Sequence, residues 1–150
     1  MVDVSSKIPS ARGAIVSCKI HMNPDTLHLL KSGQIKKGDA FTVAKTAAIL
    51  GAKKTPELIP LCHPLPLELI DVRFQDLADG AGILVEAEVR ATAKTGVEME
   101  AFMAASLAAI TLYDMAKGVD PGMRITDLKL MKKTGGKSDF LHESRYSDGQ

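Results

Sequence analysis

Acidic and basic residues stand at both ends of the longest apolar segment of the chain. Glu98 and Glu100 come just before it, and Asp114 and Lys117 come at its end. Proteins use carboxylates and lysines for proton transfer, so both ends are candidate sites. Each residue also has a structural explanation, because acidic residues at a helix N-terminus and a lysine at its C-terminus complement the helix dipole. Asp114 fits that explanation least, since a carboxylate is unfavourable near a helix C-terminus.

The spacing of these residues limits what they can do together. Asp114 and Lys117 could be an ordinary surface pair on one helix face, and for either residue alone this is the favoured explanation. Glu100 and Asp114 are separated by about 21 Å along a straight helix, which has a rise of about 1.5 Å per residue. They cannot act on one small reacting centre within the same helix. If both are catalytic, the site must combine opposite helix ends from two subunits.

A proline-rich stretch, "TPELIPLCHPLPL" (residues 55–67), places Cys62 beside His63. A metal site is one interpretation, but adjacent side chains on an extended backbone point to opposite sides. A cysteine nucleophile is a second interpretation, and it requires a base nearby. In a third, His63 is an acid/base or hydrogen-bonding group and Cys62 packs as a small hydrophobic residue. The residues alone slightly favour a purely structural histidine.

Lysines cluster at the ends of the predicted elements. The segment "KTGGKS" (residues 133–138) lacks the spacing of a nucleotide-binding P-loop and follows a predicted strand with no helix after it. As a flexible basic segment it could still contact phosphates. The clustered lysines are Lys36, Lys37, Lys53, Lys54, Lys94, Lys132, Lys133 and Lys137.

Composition narrows the class of protein. The chain has 150 residues, 45% of them apolar and 25% charged, with a net charge of +1. That length favours one domain with a sizeable core, and the small net charge argues against binding to nucleic acid or a membrane. Two cysteines far apart in the sequence, Cys18 and Cys62, are typical of a protein in a reducing compartment. The sequence alone does not exclude one disulfide between them. The N-terminus lacks a signal peptide and no apolar run approaches the roughly 20 residues of a membrane span, so we expect a cytoplasmic protein.

The order of the predicted elements indicates an α+β, ferredoxin-like fold. Strands are predicted over 14–22, 67–77, 83–92 and 124–131, and helices over 24–33, 40–54 and 97–118. The order β–α(α)–β–β–α–β fits a four-stranded antiparallel sheet with helices packed on one face. The whole chain, 1–150, is expected to form this single domain, with 1–13 and 139–150 flexible.

The long helix predicts an oligomer. Residues 101–113, "AFMAASLAAITLY", are almost all apolar or small, so the helix should be buried on nearly all sides. A sheet can cover only one face of a helix in a two-layer domain. Small residues on the helix would let another helix approach closely. We therefore expect a second subunit to cover the remaining face.

The motifs together resemble a known family. "MVDVS", "KGD", "KKTPELIPLCHPLPL", "KTGVEMEA", "SLAAITLYDMAKGVD" and "KTGGKS" extend from about residue 1 to about residue 138. On these motifs the chain resembles the MoaC family, the cyclic pyranopterin monophosphate synthases of molybdenum cofactor biosynthesis. The length of "LIPLCHPL" and of "TGVEMEA" followed by "YDMAK" makes the resemblance specific.

The resemblance implies a reaction and an assembly. The family converts (8S)-3′,8-cyclo-7,8-dihydroguanosine 5′-triphosphate into cyclic pyranopterin monophosphate and diphosphate. A radical enzyme acting on GTP supplies the substrate. The implied fold is ferredoxin-like, and the implied assembly is a hexamer built as a trimer of dimers, with active sites at subunit interfaces. No cofactor is expected to be required, no resident metal site is expected, and a Mg²⁺ ion accompanying the triphosphate stays open.

The resemblance also assigns site residues. Asp114 and Lys117 match the family's catalytic aspartate and its partner lysine, and His63 would assist proton transfer or orient the base. The matched substrate-binding positions are Leu61, Cys62, His63, Met99, Glu100, Glu98, Lys37 and Lys133, with Arg12 and Lys137 in less decisive segments. Asp139 departs from the family pattern, which commonly has glycine after "GGKS", and this puts the closure of the tail over phosphate in question.

We interpret the reaction as general acid/base chemistry. Rebuilding the ring and closing a cyclic phosphate require proton transfers at ring nitrogens and positive charge against a triphosphate. Asp114 and Lys117 form the hypothesised acid/base pair, and Lys37, Lys133 and Arg12 would hold phosphates. The neighbouring carboxylate favours a protonated lysine whereas burial opposes it, and the residues alone leave the outcome open. The alternatives are another pterin or nucleotide reaction on the same fold, and a non-catalytic ferredoxin-like module that binds an anionic ligand.

Overall fold

A computed structural model describes residues 1–142 of the chain. The first strand, β1, is central to the sheet, and the elements follow one another in the order expected of a ferredoxin-like fold. The elements are β1 (Ser10–His21), α1 (Pro24–Lys31), α2 (Ala40–Lys53), α3 (Thr55–Leu58), β2 (Leu67–Asp76), β3 (Gly82–Ala93), α4 (Glu98–Ala116), β4 (Arg124–Thr134) and β5 (Phe140–Leu141).

The sheet is antiparallel with the strand order β2-β3-β1-β4-β5. Its four long strands have the order of the predicted ferredoxin-like sheet, so the α+β class and the antiparallel topology are confirmed. The fifth strand was not predicted, and it has only two residues, Phe140 and Leu141. They pair with Lys133 and Lys132 because the chain turns back after β4.

Alternating residues of β1 build the core. Ala14, Val16, Cys18 and Ile20 are each at most 1% exposed, and the Cys18 thiol donates to the Ala105 carbonyl of α4 over 3.6 Å. This face of the strand therefore packs against the helices, since alternate side chains of a strand point to the same face. The strand begins before its predicted start at residue 14, since 10–13 pair with the end of β3.

The two long helices pack closely on each other and on the sheet. Asp39 caps α2 by accepting from the Thr42 amide over 3.1 Å, which stabilises the predicted start of that helix. A Cβ atom at Gly51 would lie 2.3 Å from Leu107 Cδ1 of α4. The glycine therefore permits the close contact between α2 and α4.

The proline-rich stretch is partly helical. The second helix was predicted over 40–54, whereas α2 ends at Lys53 and a short helix, α3, follows. Pro56 lies in the first turn of α3, where a missing amide hydrogen is tolerated. The buried Thr55 hydroxyl donates to the Gly51 carbonyl over 3.1 Å and ties α3 to α2.

One face of α4 is buried within this chain and part of the other is not. Its alanines at 101, 104, 105, 108 and 109 are fully buried, whereas Ile110 is 51% exposed. By length and composition alone α4 could also cross a membrane, and half of that window is buried inside the domain. A core helix of a globular domain passes the same test, so α4 is not assigned to a membrane.

The predicted flexible tail extends to residue 150, and its residues 143–150 lie outside the part of the chain that the structure describes.

Candidate functional site

A cavity of about 270 Å³ lies where α4 begins. It is bounded by the proline-rich stretch on one side and by the turn between β3 and α4 on the other. Six residues assigned to the site from the motifs line it together. The lining residues are Val2, Leu61, Cys62, His63, Leu65, Thr95, Gly96, Glu98, Met99 and Glu100.

Glu100 is the buried carboxyl group of this cavity. It is 3% exposed, and burial raises the pKa of its carboxyl above the usual range, with a smaller contribution from the charge of Glu98. A carboxyl group in this state holds its proton more readily and can donate a hydrogen bond. Glu100 therefore gives the cavity lining a group that can hydrogen-bond a ring nitrogen or carbonyl.

Glu98 sits at the cavity edge with a basic partner. Its carboxylate lies 3.7 Å from Lys133 Nζ at the end of β4. A Cβ atom at Gly96 would lie within 1.9 Å of Glu98 Oε2, so the glycine leaves the space that this carboxylate occupies. The start of α4 and the end of β4 thus place an acidic and a basic group beside the cavity.

Cys62 and His63 are both half-buried. Burial raises the pKa of the Cys62 thiol, and the nearby Glu100 carboxylate adds to this effect. A raised pKa disfavours the thiolate, which is the nucleophilic form. The environment therefore argues against the cysteine-nucleophile interpretation and leaves His63 as the polar group of this loop that lines the cavity.

A second cluster lies at the opposite end of α4. Lys37 Nζ donates to both the backbone carbonyl and the Oδ2 atom of Asp114 at 2.7 Å, and Lys117 Nζ lies 2.8 Å from Asp114 Oδ1. Hydrogen bonds from Lys117 and then Lys37 lower the pKa of Asp114 to about 2. The same contact with Asp114 raises the pKa of Lys117. Lys117 is about half exposed, so its carboxylate neighbour outweighs burial and the lysine keeps its proton.

The "KTGGKS" segment folds over Arg12. Gly135 and Gly136 have φ angles of +87° and +83°, which favour glycine. A Cβ atom at Gly136 would lie 2.2 Å from Arg12 Nη1. Asp139 Oδ1 accepts from the Gly135 amide over 2.9 Å, so the residue that departs from the family pattern closes this turn. Lys137 is exposed within the same segment.

The structure brings some of the predicted site residues together and leaves others apart. Residues of the proline-rich loop and of the start of α4 share one cavity, with Lys133 beside it. The cluster of Lys37, Asp114 and Lys117 lies at the other end of α4, about 21 Å away by helix length. The predicted site residues of one chain therefore lie in two separate groups, the cavity and the Asp114 cluster.

Several lining residues had not been predicted from the sequence. Val2, Leu65, Thr95 and Gly96 contribute to the cavity. Val2 falls within "MVDVS", and Thr95 and Gly96 fall within "KTGVEMEA". Their place in motifs that carry the family resemblance is the feature of the sequence that could have identified them. Among residues 1–142, no three His, Cys, Asp or Glu side chains are grouped as metal ligands.

Comparison with known proteins agrees with these motifs. The model of the MoaC family matches residues 1–136. A relative from Syntrophomonas wolfei is 53% identical over 141 residues, covering 94% of this chain and 90% of the relative. One from Listeria monocytogenes is 51% identical over 139 residues (92% and 86%), and one from Dinoroseobacter shibae is 50% identical over 138 residues (92% and 87%). Each of these relatives is named cyclic pyranopterin monophosphate synthase.

Proposed function

The chain belongs to the MoaC family, and from this premise we propose that it catalyses the reaction for which its relatives are named. The reaction is the lyase step of molybdenum cofactor biosynthesis that converts (8S)-3′,8-cyclo-7,8-dihydroguanosine 5′-triphosphate into cyclic pyranopterin monophosphate and diphosphate. The observation that carries the proposal is the cavity at the start of α4, where six residues from two separate motifs converge.

The cavity suits the ring system of that substrate. Leu61 and Met99 present exposed apolar side chains, 70% and 37% exposed, to the faces of a heterocycle. Glu100, with its raised pKa, would hydrogen-bond the polar edge of the ring. His63 would assist a proton transfer or orient the base.

The second cluster supplies the acid/base pair of the proposal. Lys117 keeps its proton beside Asp114, so it is ready to act as the acid. Asp114 is ionised and holds both lysines in place, and it would stabilise the positive charge of Lys117 until that proton moves. Lys37 adds a second positive charge at the same carboxylate.

The proposed active site combines two half-sites from different subunits, the cavity at the start of α4 and the Asp114 cluster at its end. We propose a homo-oligomer, a hexamer built as a trimer of dimers, in which the cavity of one subunit meets the Asp114 cluster of another. Support comes from the separation of the clusters along α4 and from apolar side chains on the outward faces of α2 and α4. These include Leu50, 54% exposed, and Ile110, 51% exposed.

Basic residues would bind the triphosphate and offset the charge of the departing diphosphate. Lys133 lies beside the cavity, Arg12 lies under the glycine turn, and Lys37 and Lys137 complete the proposed set. The chemistry is proton transfer and phosphate displacement, for which we propose no required cofactor. A Mg²⁺ ion could arrive bound to the triphosphate.

The proposed setting is the cytoplasm, without nucleic acid or membrane as partner. Both cysteines, Cys18 and Cys62, are free thiols, as is usual in a reducing compartment. The net charge of +1 provides no general attraction to polyanions.

Product formation tests the proposal. The purified protein should convert the cyclised GTP derivative into cyclic pyranopterin monophosphate, measured by mass spectrometry. The variant Asp114→Asn should lose about 10²–10⁴-fold in turnover, as expected when an acid/base group is disabled. The matched control is Asp127→Asn, which alters an exposed aspartate that also pairs with a lysine. Near-normal turnover by Asp114→Asn would refute its role, and binding without product by the unaltered protein would favour the ligand-binding module.

A further inference from the structure

The first residues of the chain contribute to the wall of the cavity. Val2 lines it together with Leu61 and Met99. Val2 and Leu61 are 71% and 70% exposed, and Met99 is 37% exposed, so three apolar side chains surround the mouth of one cavity. Exposed apolar surface around a cavity is what a ligand with flat apolar faces can bury.

The N-terminal arm, residues 1–9, is attached to the domain by Lys94. Lys94 Nζ donates to the Ser5 carbonyl over 2.9 Å. The arm is also folded on itself, because the Ser5 amide donates to Asp3 Oδ1 over 2.8 Å. The Lys7 amide donates to the Val4 carbonyl over 3.1 Å. The attachment at Ser5 and these local bonds restrict where Val2 can lie.

Lys94 is joined to other parts of the site. Its backbone carbonyl accepts from Arg12 Nη2 over 3.4 Å, and the next two residues, Thr95 and Gly96, line the cavity. A hydrogen bond from a charged donor is stronger than a neutral one. Lys94 therefore couples the arm to the turn that precedes α4.

We propose that Lys94 is a positioning residue, which holds the N-terminal arm so that Val2 forms a third apolar wall against the substrate heterocycle. The identity of the heterocycle rests on the proposed function, whereas the attachment of the arm does not. Lys94 acts through Val2 and touches no reacting atom. Its loss should weaken substrate binding more than it slows the chemical step.

Limited trypsin digestion tests the attachment without any substrate. The arm contains one cleavable bond, after Lys7, and release of the peptide 1–7 can be followed by mass spectrometry. Lys94→Met should be cleaved there several-fold faster than the unaltered protein, because the carbonyl of Ser5 loses its donor. Lys94→Arg keeps a charged donor and should be cleaved at nearly the original rate. Equal rates for Lys94→Met and the unaltered protein would overturn the attachment.

Steady-state kinetics test the role of the arm in binding. Lys94→Met and Val2→Ser should each raise KM by about three- to tenfold, the range expected for losing part of one apolar contact, with little change in kcat. Lys94→Arg should restore KM, and all variants should keep the melting temperature. The matched control, Lys19→Met, breaks a surface ion pair with Asp127 and should leave KM unchanged.

The outcomes separate this inference from the proposed function. If the unaltered protein turns over and KM is unchanged in both Lys94→Met and Val2→Ser, the inference is wrong and the function stands. If the unaltered protein forms no product, the proposed function fails. The digestion result then still decides whether Lys94 holds the arm. A fall in kcat without a rise in KM would likewise overturn a positioning role in binding.

Discussion

Two carboxyl groups at the ends of α4 have pKa values displaced in opposite directions. Burial raises the pKa of Glu100, whereas hydrogen bonds from Lys117 and Lys37 lower that of Asp114 to about 2. Carboxyl groups with divergent pKa values commonly have different roles in one reaction. In the proposed reaction Glu100 would hold a proton near the substrate ring, and Asp114 would hold a protonated lysine.

The raised pKa of Glu100 predicts a pH-dependent effect on stability. A carboxyl group with a raised folded-state pKa stabilises the protein below its unfolded pKa, near 4.5, and this stability is lost as pH rises through the folded-state value. Glu100→Gln removes the ionisation. The variant should therefore melt at a higher temperature than the unaltered protein at neutral pH, with the difference shrinking as pH falls toward 4.5.

Calorimetry between pH 4 and pH 8 checks this expectation, and a turnover assay on the same samples separates stability from activity. Turnover should fall while the melting temperature rises, because the group is costly for folding and useful for binding. The control Glu57→Gln alters an exposed glutamate that pairs with Lys54 on the surface, and its melting temperature should follow that of the unaltered protein. A lower melting temperature for Glu100→Gln at neutral pH would contradict the prediction.

At the scale of elements, periodicity and turn residues predicted most of the fold. The strand predicted over 14–22 and the helix predicted from residue 40 depend on patterns of nearby residues, and both elements are present as β1 and α2. The helix α3 was missed because its four residues lie in a proline-rich stretch that carries no period. Prolines are compatible with a first helical turn, so their number alone did not exclude a helix.

The candidate site could be predicted only in part, for a physical reason. Glu98, Met99 and Glu100 lie in one helical turn, so their proximity follows from the motif. The contact of Lys37 with Asp114 joins residues 77 positions apart, and no spacing rule specifies such a pair. The position of Val2 at the cavity likewise depends on how the N-terminal arm packs on the domain. That arm was expected to be flexible, so its packing was not predicted.

The pairing of β1 with β3 leaves no room for a side chain at Gly82. A Cβ atom at Gly82 would lie 2.3 Å from the Ile20 carbonyl oxygen, and backbone cannot yield as a side chain can. Gly82→Ala should therefore lower the free energy of unfolding by about 1–3 kcal/mol. Gly118→Ala is the matched control, because no atom lies within 4 Å of its added Cβ. Its free energy of unfolding should change by at most about 0.5 kcal/mol, measured by denaturant titration. Equal changes at the two glycines would contradict the close approach of Gly82 to the Ile20 carbonyl.

At the scale of the whole molecule, the chain presents the cavity and the Asp114 cluster, the two proposed half-sites, at opposite ends of one helix. The cavity and the Asp114 cluster of one subunit cannot meet, because α4 between them is a continuous helix of 19 residues. The exposed Leu50 and Ile110 lie on α2 and α4, the elements that pack on each other. A symmetric pairing of subunits through these faces would cover apolar surface and could join a cavity to an Asp114 cluster twice per dimer.

Mixing two inactive variants tests the shared site. In a dimer of one Glu100→Gln subunit and one Asp114→Asn subunit, one site receives both altered residues and the other receives neither. Random exchange makes half of the dimers mixed, so about a quarter of the unaltered activity should return. The control mixture, Asp114→Asn with Lys117→Met, places both lesions in the same half-site and should stay inactive. No recovery in the first mixture, with subunit exchange demonstrated by native mass spectrometry, would show that each site is built from one chain or that Glu100 and Asp114 do not act together.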